Sequence, residues 1–297
     1  MEEIAPVSLA LRQLAEAQAL SGRAKWTEYL FCCIICFMTE IGKFTAQYER
    51  SVGLHNFTTV DSTPVAAVAV PTWEEFQQTL VDLPPTKGYV ISPELITSPG
   101  YLTEIENRAT EIQERTDEIQ ALSKQQPDAL ILLGTATFDR DNSLVRNSLA
   151  VISDGETRGY IDKRGGMLPL ENQIFSKQPR QQATLLSAGH TALICSDIIW
   201  AMSFGRSDRK KNDWIPPHVE TLLVSSCWAV PQSEGPTSPS LNEERFKDAL
   251  ERTIRKLFER YHNLKEVVMV DRVIPDSQVE PYTAQFRRVV PLLASSY

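Results

Sequence analysis

The amino-acid sequence predicts an α/β protein in which strands buried on both faces alternate with helices. Two observations carry this prediction. Short, wholly apolar segments recur from about residue 61 onward, and longer segments that are polar or have helical periodicity separate them. A turn signal, Asp154-Gly155, also lies between two segments that resemble paired strands, which predicts a hairpin. The pattern is that of a layered α/β or α+β sandwich.

The elements follow one another in a regular order after residue 61. The predicted strands lie at 65–70, 88–92, 129–134, 148–152, 157–161, 191–195, 221–225 and 266–270. One helix is predicted to begin at Thr72, because Glu74 and Glu75 follow in its first turn. Two longer helices are predicted at 101–124 and 241–262.

Residues 1 to about 60 differ from the rest and are predicted to form an N-terminal helical extension, with residues 61–297 as a second domain. A first helix ends near Ser21-Gly22, and a second runs from about Lys25 to Arg50. Its centre holds ten consecutive apolar residues, 29–38, which is well short of the roughly 20 that span a bilayer. We expect this run to be buried against the α/β body or in a homo-oligomer or partner-protein interface.

Composition excludes several classes of function. The net charge is −8 and no long basic stretch occurs, which argues against a nucleic-acid surface. The five cysteines (Cys32, Cys33, Cys36, Cys195 and Cys227) suggest no disulfide framework, and the first three lack the nearby histidine that would complete a zinc site. An acidic N-terminus does not resemble a signal peptide, so the predicted location is cytoplasmic.

Three predicted strands end in a reactive side chain, and such ends are where ligands bind in open α/β sheets. Glu94 follows the strand at 88–92, Lys163 follows the hairpin, and Cys195 ends the strand at 191–195. Each residue alone has an ordinary interpretation: a helix start, a surface lysine and a buried thiol. Their order and their common setting favour a site.

The three segments resemble the motifs of the nitrilase superfamily of carbon–nitrogen hydrolases, in the style of amidases and apolipoprotein N-acyltransferases. They are Pro93-Glu94, Tyr160-Ile161-Asp162-Lys163 and Ile194-Cys195-Ser196-Asp197, in the family's order and with similar intervals. Further landmarks that resemble the family are Gly134-Thr135, Asn147-Ser148, Glu171, Gly189 and 224–228. The similarity covers roughly residues 63 to 275.

The resemblance implies an α-β-β-α sandwich and a Glu-Lys-Cys catalytic triad. Cys195 would be the nucleophile that forms a thioester, Glu94 the general base, and Lys163 the cation that stabilises the tetrahedral intermediate, with the Ser196 N–H as a second donor. Glu171 would have a supporting role beside Lys163. No metal and no organic cofactor is implied. Because a base and a cation flank Cys195, we expect a raised thiolate fraction there.

The chain departs from the family pattern at several positions. Gly165-Gly166 replaces the usual His-Leu after the lysine, Pro169 lies one place late, and Trp200 replaces a proline-rich turn. The final Gly-x-Ser strand is not recognisable, so we expect an abbreviated C-terminus. Three functions stay open at this point: hydrolysis of a small non-peptide amide, acyl transfer by the same triad, and a silent module that serves assembly or sensing.

Overall fold

The strands of this protein lie in two sheets. The computed structural model describes residues 44–49, 52–98, 105–139, 144–165, 174–176, 186–203, 214–227, 239–271 and 283–289. In chain order the strands are β1 (Phe44–Glu49), β2 (Gly53–Thr58), β3 (Pro64–Ala69), β4 (Gly88–Ile91), β5 (Ala129–Asp139), β6 (Leu144–Ser153), β7 (Glu156–Asp162), β8 (His190–Ile194), β9 (Thr221–Ser226), β10 (Glu266–Asp271) and β11 (Thr283–Arg288). The α-helices are α1 (Trp73–Asp82), α2 (Ala109–Ser123), α3 (Asp197–Ser203) and α4 (Pro239–Arg260), and a 3₁₀ turn (Glu106–Arg108) precedes α2.

Each sheet contains a parallel core with antiparallel strands at its margin. Sheet 1 has the order β1-β11-β10-β9-β8, and sheet 2 has the order β2-β3-β4-β5-β6-β7. Strands β8, β9 and β10 run parallel to one another, as do β3, β4 and β5. Because the carboxyl ends of parallel strands meet at one edge of a sheet, β4 and β8 each deliver the residues that follow them to such an edge.

Alternation of side chains along the strands forms the layers. In β10, Val268 and Val270 point into the core between the two sheets, whereas Val267 and Met269 point to the other face. The helices cover the outer faces. Helices α1 and α2 pack on sheet 2 through Trp73, Phe76, Leu80 and Ile119, and helices α3 and α4 pack on sheet 1 through Ile198, Ala201, Leu250, Ile254, Leu257 and Phe258. The predicted α-β-β-α sandwich is therefore confirmed.

Two strands lie where helix or extension was expected, so the prediction of a helix up to Arg50 is wrong at its end. Residues Phe44–Glu49 form β1, which pairs antiparallel with β11, and Gly53–Thr58 form β2, which pairs with β3. In β1 the aromatic rings of Phe44 and Tyr48 both contact the ring of Phe286. These rings belong to residues that are far apart in the sequence. Tertiary contacts of this kind override a weak local preference for helix.

The compact unit that contains both sheets begins at Phe44 instead of residue 61. Residues 1–43, with the apolar run 29–38 and the cysteines Cys32, Cys33 and Cys36, lie outside the described residues, and their helical structure stays a prediction. The last strand among the described residues, β11, lies inside sheet 1 between β1 and β10, and the expected abbreviated C-terminus stays a prediction. In the part of the chain that the structure describes, no helix has the length and apolar character needed to cross a membrane.

Candidate active site

Glu94 lies in a tight turn just beyond the end of β4. The turn runs so close to β5 that a side chain at Gly134 would collide with the carbonyl oxygen of Pro93 and would come within 2.8 Å of the main-chain nitrogen of Leu95. The next residue, Leu95, has a φ of +53°, a left-handed conformation that costs free energy in a non-glycine residue. Gly134, which the sequence analysis named only as a landmark, has no side chain. This allows the segment that contains Glu94 to pass close to β5.

The Glu94 carboxylate is buried, with 3% of the residue exposed, and it accepts three hydrogen bonds. Lys163 Nζ donates to Oε1 at 2.7 Å, and Asn147 Nδ2 donates to the same oxygen at 2.6 Å. The main-chain N–H of Cys227, just after β9, donates to Oε2 at 3.0 Å. Donors from both sheets thus hold the carboxylate in one orientation.

Lys163 follows directly after β7 and is held by its main chain as well as by its ammonium group. Its N–H donates to the carbonyl oxygen of Asn147 at 2.8 Å. Asn147 therefore positions Glu94 through its side chain and Lys163 through its main chain. In the sequence analysis Asn147 was only a landmark of the family resemblance. No local sequence pattern predicts that it positions both Glu94 and Lys163.

Cys195 follows the last residue of β8 and has a φ of +46°. Its N–H donates to the Ser225 carbonyl oxygen at 2.9 Å, and its carbonyl oxygen accepts the Ile198 N–H at the start of α3. Its Sγ lies 4.0 Å from the carbonyl oxygen of Cys227, whose N–H binds Glu94. This strained strand-to-helix turn holds Cys195, a half-buried residue with a buried thiol, near the charges of the Glu94–Lys163 pair.

The thiol of Cys195 is neutral in the resting site. Burial raises its pKa well above the usual value, and the negative charge of Glu94 raises it further, whereas Lys163 lowers it by a smaller amount. The expectation of a raised thiolate fraction is therefore wrong, because burial and the charge of Glu94 together outweigh the effect of Lys163. The arrangement consists of a thiol near a paired carboxylate and ammonium group.

The cysteine and lysine segments are joined by direct hydrogen bonds. Asp197 Oδ1 accepts the main-chain N–H groups of Arg164 at 3.1 Å and Gly165 at 2.8 Å. The Ser196 hydroxyl donates to the Gly165 carbonyl oxygen at 2.6 Å. Glu171 lies outside the described residues, so its supporting role, like that of the Ser196 N–H, stays a prediction.

Two departures from the family pattern contact each other. Gly165 packs against the indole of Trp200, and a side chain at position 165 would collide with the ring and come within 2.8 Å of its Cγ atom. Trp200 therefore occupies the space that a larger residue after the lysine would fill.

No protein-family model and no curated protein sequence matches the chain. Among solved structures, the chain is similar to a glutamine-dependent NAD+ synthetase from Acinetobacter baumannii, at 17% identity and a TM-score of 0.47, over 80% of this chain and 40% of that one. It is also similar to Nit3 of Saccharomyces cerevisiae, a member of branch 10 of the nitrilase superfamily, at 13% identity and a TM-score of 0.47, over 85% and 96% of the two chains.

A carbon–nitrogen hydrolase from Helicobacter pylori gives 14% identity and a TM-score of 0.47, over 80% of this chain and 77% of that one. The chain spans 40% of the length of the NAD+ synthetase. The fold itself is established by the sheet order and layers described above.

The buried ion pair allows a stability prediction. Replacing Lys163 with Met leaves the Glu94 charge uncompensated in the interior, and we expect the free energy of unfolding to fall by about 3–5 kcal/mol. Lys265→Met is the matched control, because Lys265 and Glu220 make an ion pair of the same 2.7 Å length with both side chains more than 40% exposed. That variant should lose about 1 kcal/mol or less. Urea unfolding of the two variants measures the difference, and equal losses would contradict a buried Glu94 charge.

The charges around the thiol predict opposite effects of two substitutions on the rate at which Cys195 is alkylated. Glu94→Gln removes the negative charge that raises the Cys195 pKa, so iodoacetamide should alkylate Cys195 faster at neutral pH in the variant than in the wild-type protein. Lys163→Met should slow the same reaction. Mass spectrometry of the Cys195 peptide over time measures both rates, and slower alkylation of Glu94→Gln would show that the carboxylate does not act on the thiol in this way.

Asp197 predicts a pH dependence of stability. Burial raises its pKa to about 7, against the opposing effect of hydrogen bonds and Lys163. The folded protein therefore binds a proton here that the unfolded chain releases above about pH 4, so this group's contribution to stability falls from about pH 4 to about 7 and is constant above that. Asp197→Asn should remove this decline in thermal melts, and Asp117→Asn, an exposed aspartate on α2, should leave it unchanged.

Proposed function

We propose that this protein is a divergent member of the nitrilase superfamily and a thiol-dependent carbon–nitrogen hydrolase that acts on a small, non-peptide amide. One observation carries the proposal. The Glu94 carboxylate binds Lys163 Nζ at 2.7 Å and the Cys227 N–H at 3.0 Å, and Cys195 stands beside them in a strained turn. A nucleophile, a base and a cation converge from three strand ends.

The first half-reaction begins from the neutral thiol. As Cys195 Sγ attacks the amide carbon, Glu94 accepts the thiol proton, so a thiolate never has to persist in the buried site. Lys163 and the Ser196 N–H stabilise the negative oxygen of the tetrahedral intermediate. The intermediate collapses, the C–N bond breaks, and the amine leaves with the proton that Glu94 returns. The acyl group stays on Cys195 as a thioester.

The second half-reaction uses the same base. Glu94 accepts a proton from water, the oxygen attacks the thioester carbon, and the C–S bond breaks to give the acid and the free thiol. The buried orientation of Glu94, fixed by Asn147 and the Cys227 N–H, suits both steps because the carboxylate does not have to move between them. No step requires a metal or an organic cofactor.

Two other functions use the same residues differently. In acyl transfer an amine takes the place of water in the second step, and the triad chemistry is unchanged. A silent module for assembly or sensing would keep the fold without turnover, and an interface through residues 1–60, as a homo-oligomer or with a partner protein, would fit that function. The strained backbone at Cys195 favours catalysis, since a structural role gives no reason to retain it.

The test is turnover of a panel of small linear amides, followed as release of ammonia or amine. Cys195→Ala should abolish release, and Lys163→Ala should reduce it by about 10²–10³-fold through loss of an oxyanion donor. Glu94→Gln should block both thioester formation and its hydrolysis, although it raises alkylation of the same thiol. Lys265→Met is the control and should keep full activity. Turnover that survives Cys195→Ala would exclude the proposed mechanism.

A thioester on Cys195 separates the enzymatic proposals from the silent module. Intact-protein mass spectrometry of the wild-type protein during turnover should show a mass increase equal to the acyl group, absent in Cys195→Ala. Addition of hydroxylamine should release the adduct as a hydroxamate, and addition of simple amines should release a new amide if the enzyme is an acyl transferase. A protein that never acylates with any amide or activated ester of the panel favours the silent module.

A further inference from the structure

A second group of reactive side chains lies at the other end of β8. Cys195 follows the last residue of this strand, whereas His190 is its first residue. Around the His190 ring lie Ser187, Tyr89 at the start of β4, and Asp61 in the turn between β2 and β3. His190 Nδ1 is 2.6 Å from Ser187 Oγ, and His190 Nε2 is 3.1 Å from Asp61 Oδ2. The imidazole therefore bridges a hydroxyl and a carboxylate.

The contacts of the ring indicate which nitrogen carries the proton in its neutral form. The Asp61 carboxylate lies 3.1 Å from Nε2, which favours the proton on Nε2 and leaves Nδ1 as the acceptor for Ser187. Asp61 is ionised at neutral pH: burial alone would raise its pKa, but hydrogen bonds from Thr59 and Thr63 and the nearby His190 hold the pKa below its usual value. The ring is thus oriented with its basic nitrogen toward the serine.

Tyr89 supplies a fourth group beside the hydroxyl. Its OH lies 2.7 Å from Ser187 Oγ and 2.9 Å from His190 Nδ1, and it accepts the Ser187 N–H at 3.2 Å. Burial raises the pKa of Tyr89, so the phenol stays protonated and can donate. One assignment uses each proton once: Ser187 N–H to Tyr89, Tyr89 O–H to Ser187 Oγ, and Ser187 O–H to His190 Nδ1, with Nε2 of the ring 3.1 Å from the Asp61 carboxylate.

Ser187 differs from His190 and Tyr89 in solvent exposure, as a nucleophile must differ from the groups that support it. Ser187 is exposed to solvent, whereas His190 and Tyr89 beneath it are buried. The Ser187 hydroxyl itself contacts the buried His190 and Tyr89, so an acyl donor would reach it from the exposed side of the residue. A nucleophile must be reachable from solvent while its base is held rigidly behind it.

We propose that Ser187 is an activated nucleophile, distinct from Cys195, that accepts acyl groups from small activated carboxylic esters. His190 is its general base, Asp61 orients the imidazole, and the Tyr89 hydroxyl donates to the oxyanion. Ser187 Oγ forms a bond to the acyl carbon as its proton passes to His190 Nδ1. The ester C–O bond breaks, and the alkoxide leaves with the proton from His190. Water then hydrolyses the serine ester by the same route.

The experiment uses the full chain with Cys195→Ala, so that the thiol cannot take the reagent. An alkyl fluorophosphonate replaces the ester, since serine attack forms a stable O–P bond and releases fluoride. We expect one phosphonyl adduct on the peptide that contains Ser187, and none on that peptide in Ser187→Ala. Ser62→Ala is the matched control, because Ser62 is exposed and adjacent to Asp61 but has no contact with His190, and it should label as fast as its parent.

The orienting and basic groups are tested by rate. His190→Gln should slow labelling of Ser187 by about 10²–10⁴-fold, the usual contribution of a general base. Asp61→Asn should slow labelling of Ser187 at least about tenfold. Because Asp61 lies in a more exposed turn, this variant provides the test if His190→Gln does not fold. Labelling spread over many serines, or unchanged in Asp61→Asn, would overturn the proposal and leave a structural polar cluster. In the presence of Cys195, Ser187→Ala should leave iodoacetamide alkylation of Cys195 unchanged, so the two proposals fail independently.

Discussion

The buried carboxylate of Glu94 is the constraint on which the site and the joining of the two sheets depend. A charge moved from water to the protein interior costs several kcal/mol unless it is paired and hydrogen-bonded. Glu94 meets this requirement with Lys163 and Asn147 from sheet 2 and the Cys227 N–H from sheet 1. Any shift of one sheet relative to the other would remove at least one of these donors. The same contacts that make the carboxylate tolerable therefore fix the position of a base next to Cys195.

Further hydrogen bonds join the two sheets close to Glu94. The Glu94 N–H donates to the Ser226 carbonyl oxygen at 3.3 Å, and the Ser225 hydroxyl donates to the Ser92 carbonyl oxygen at 2.8 Å. Main-chain groups in a turn between two sheets would otherwise be buried without partners. The glutamate turn is thus tied to β9 by main-chain, side-chain and carboxylate contacts, which explains how it tolerates a left-handed residue at Leu95.

The charge balance of the site explains why the thiol rests in its neutral form. Glu94 and Lys163 cancel each other, so a third charge on Cys195 would be unpaired in a largely dry environment. Neutrality also limits adventitious reactions, because the thiolate is the species that oxidants and alkylating agents attack. In the proposed mechanism, the nucleophile is generated when substrate arrives and Glu94 takes the proton. General-base activation is therefore favoured over a permanent thiolate by the electrostatics of the pair.

Glu94, Lys163 and Cys195 could be singled out from the sequence because Glu94 and Cys195 follow short apolar strands, Lys163 follows a hairpin, and all three lie in recognisable local motifs. The groups that orient them could not. Asn147 and the Cys227 N–H reach Glu94 from 53 and 133 residues away, and no local periodicity encodes such contacts. Strand β1 was likewise missed because its pairing with β11 is set by aromatic contacts across the whole chain. Local motifs mark reactive residues, whereas tertiary packing decides their neighbours.

Main-chain groups and residues of the three motifs determine how Glu94, Lys163 and Cys195 are arranged. Asp197 and Ser196, which follow Cys195 directly, bind the segment after Lys163, and Asn147 binds both Lys163 and Glu94. Residues next to Cys195 thus hold the segment after Lys163, and Asn147 links Lys163 to Glu94. These contacts come from strand residues and from the turns directly after the strands. They therefore hold the thiol, the carboxylate and the ammonium group through the rigid part of the fold.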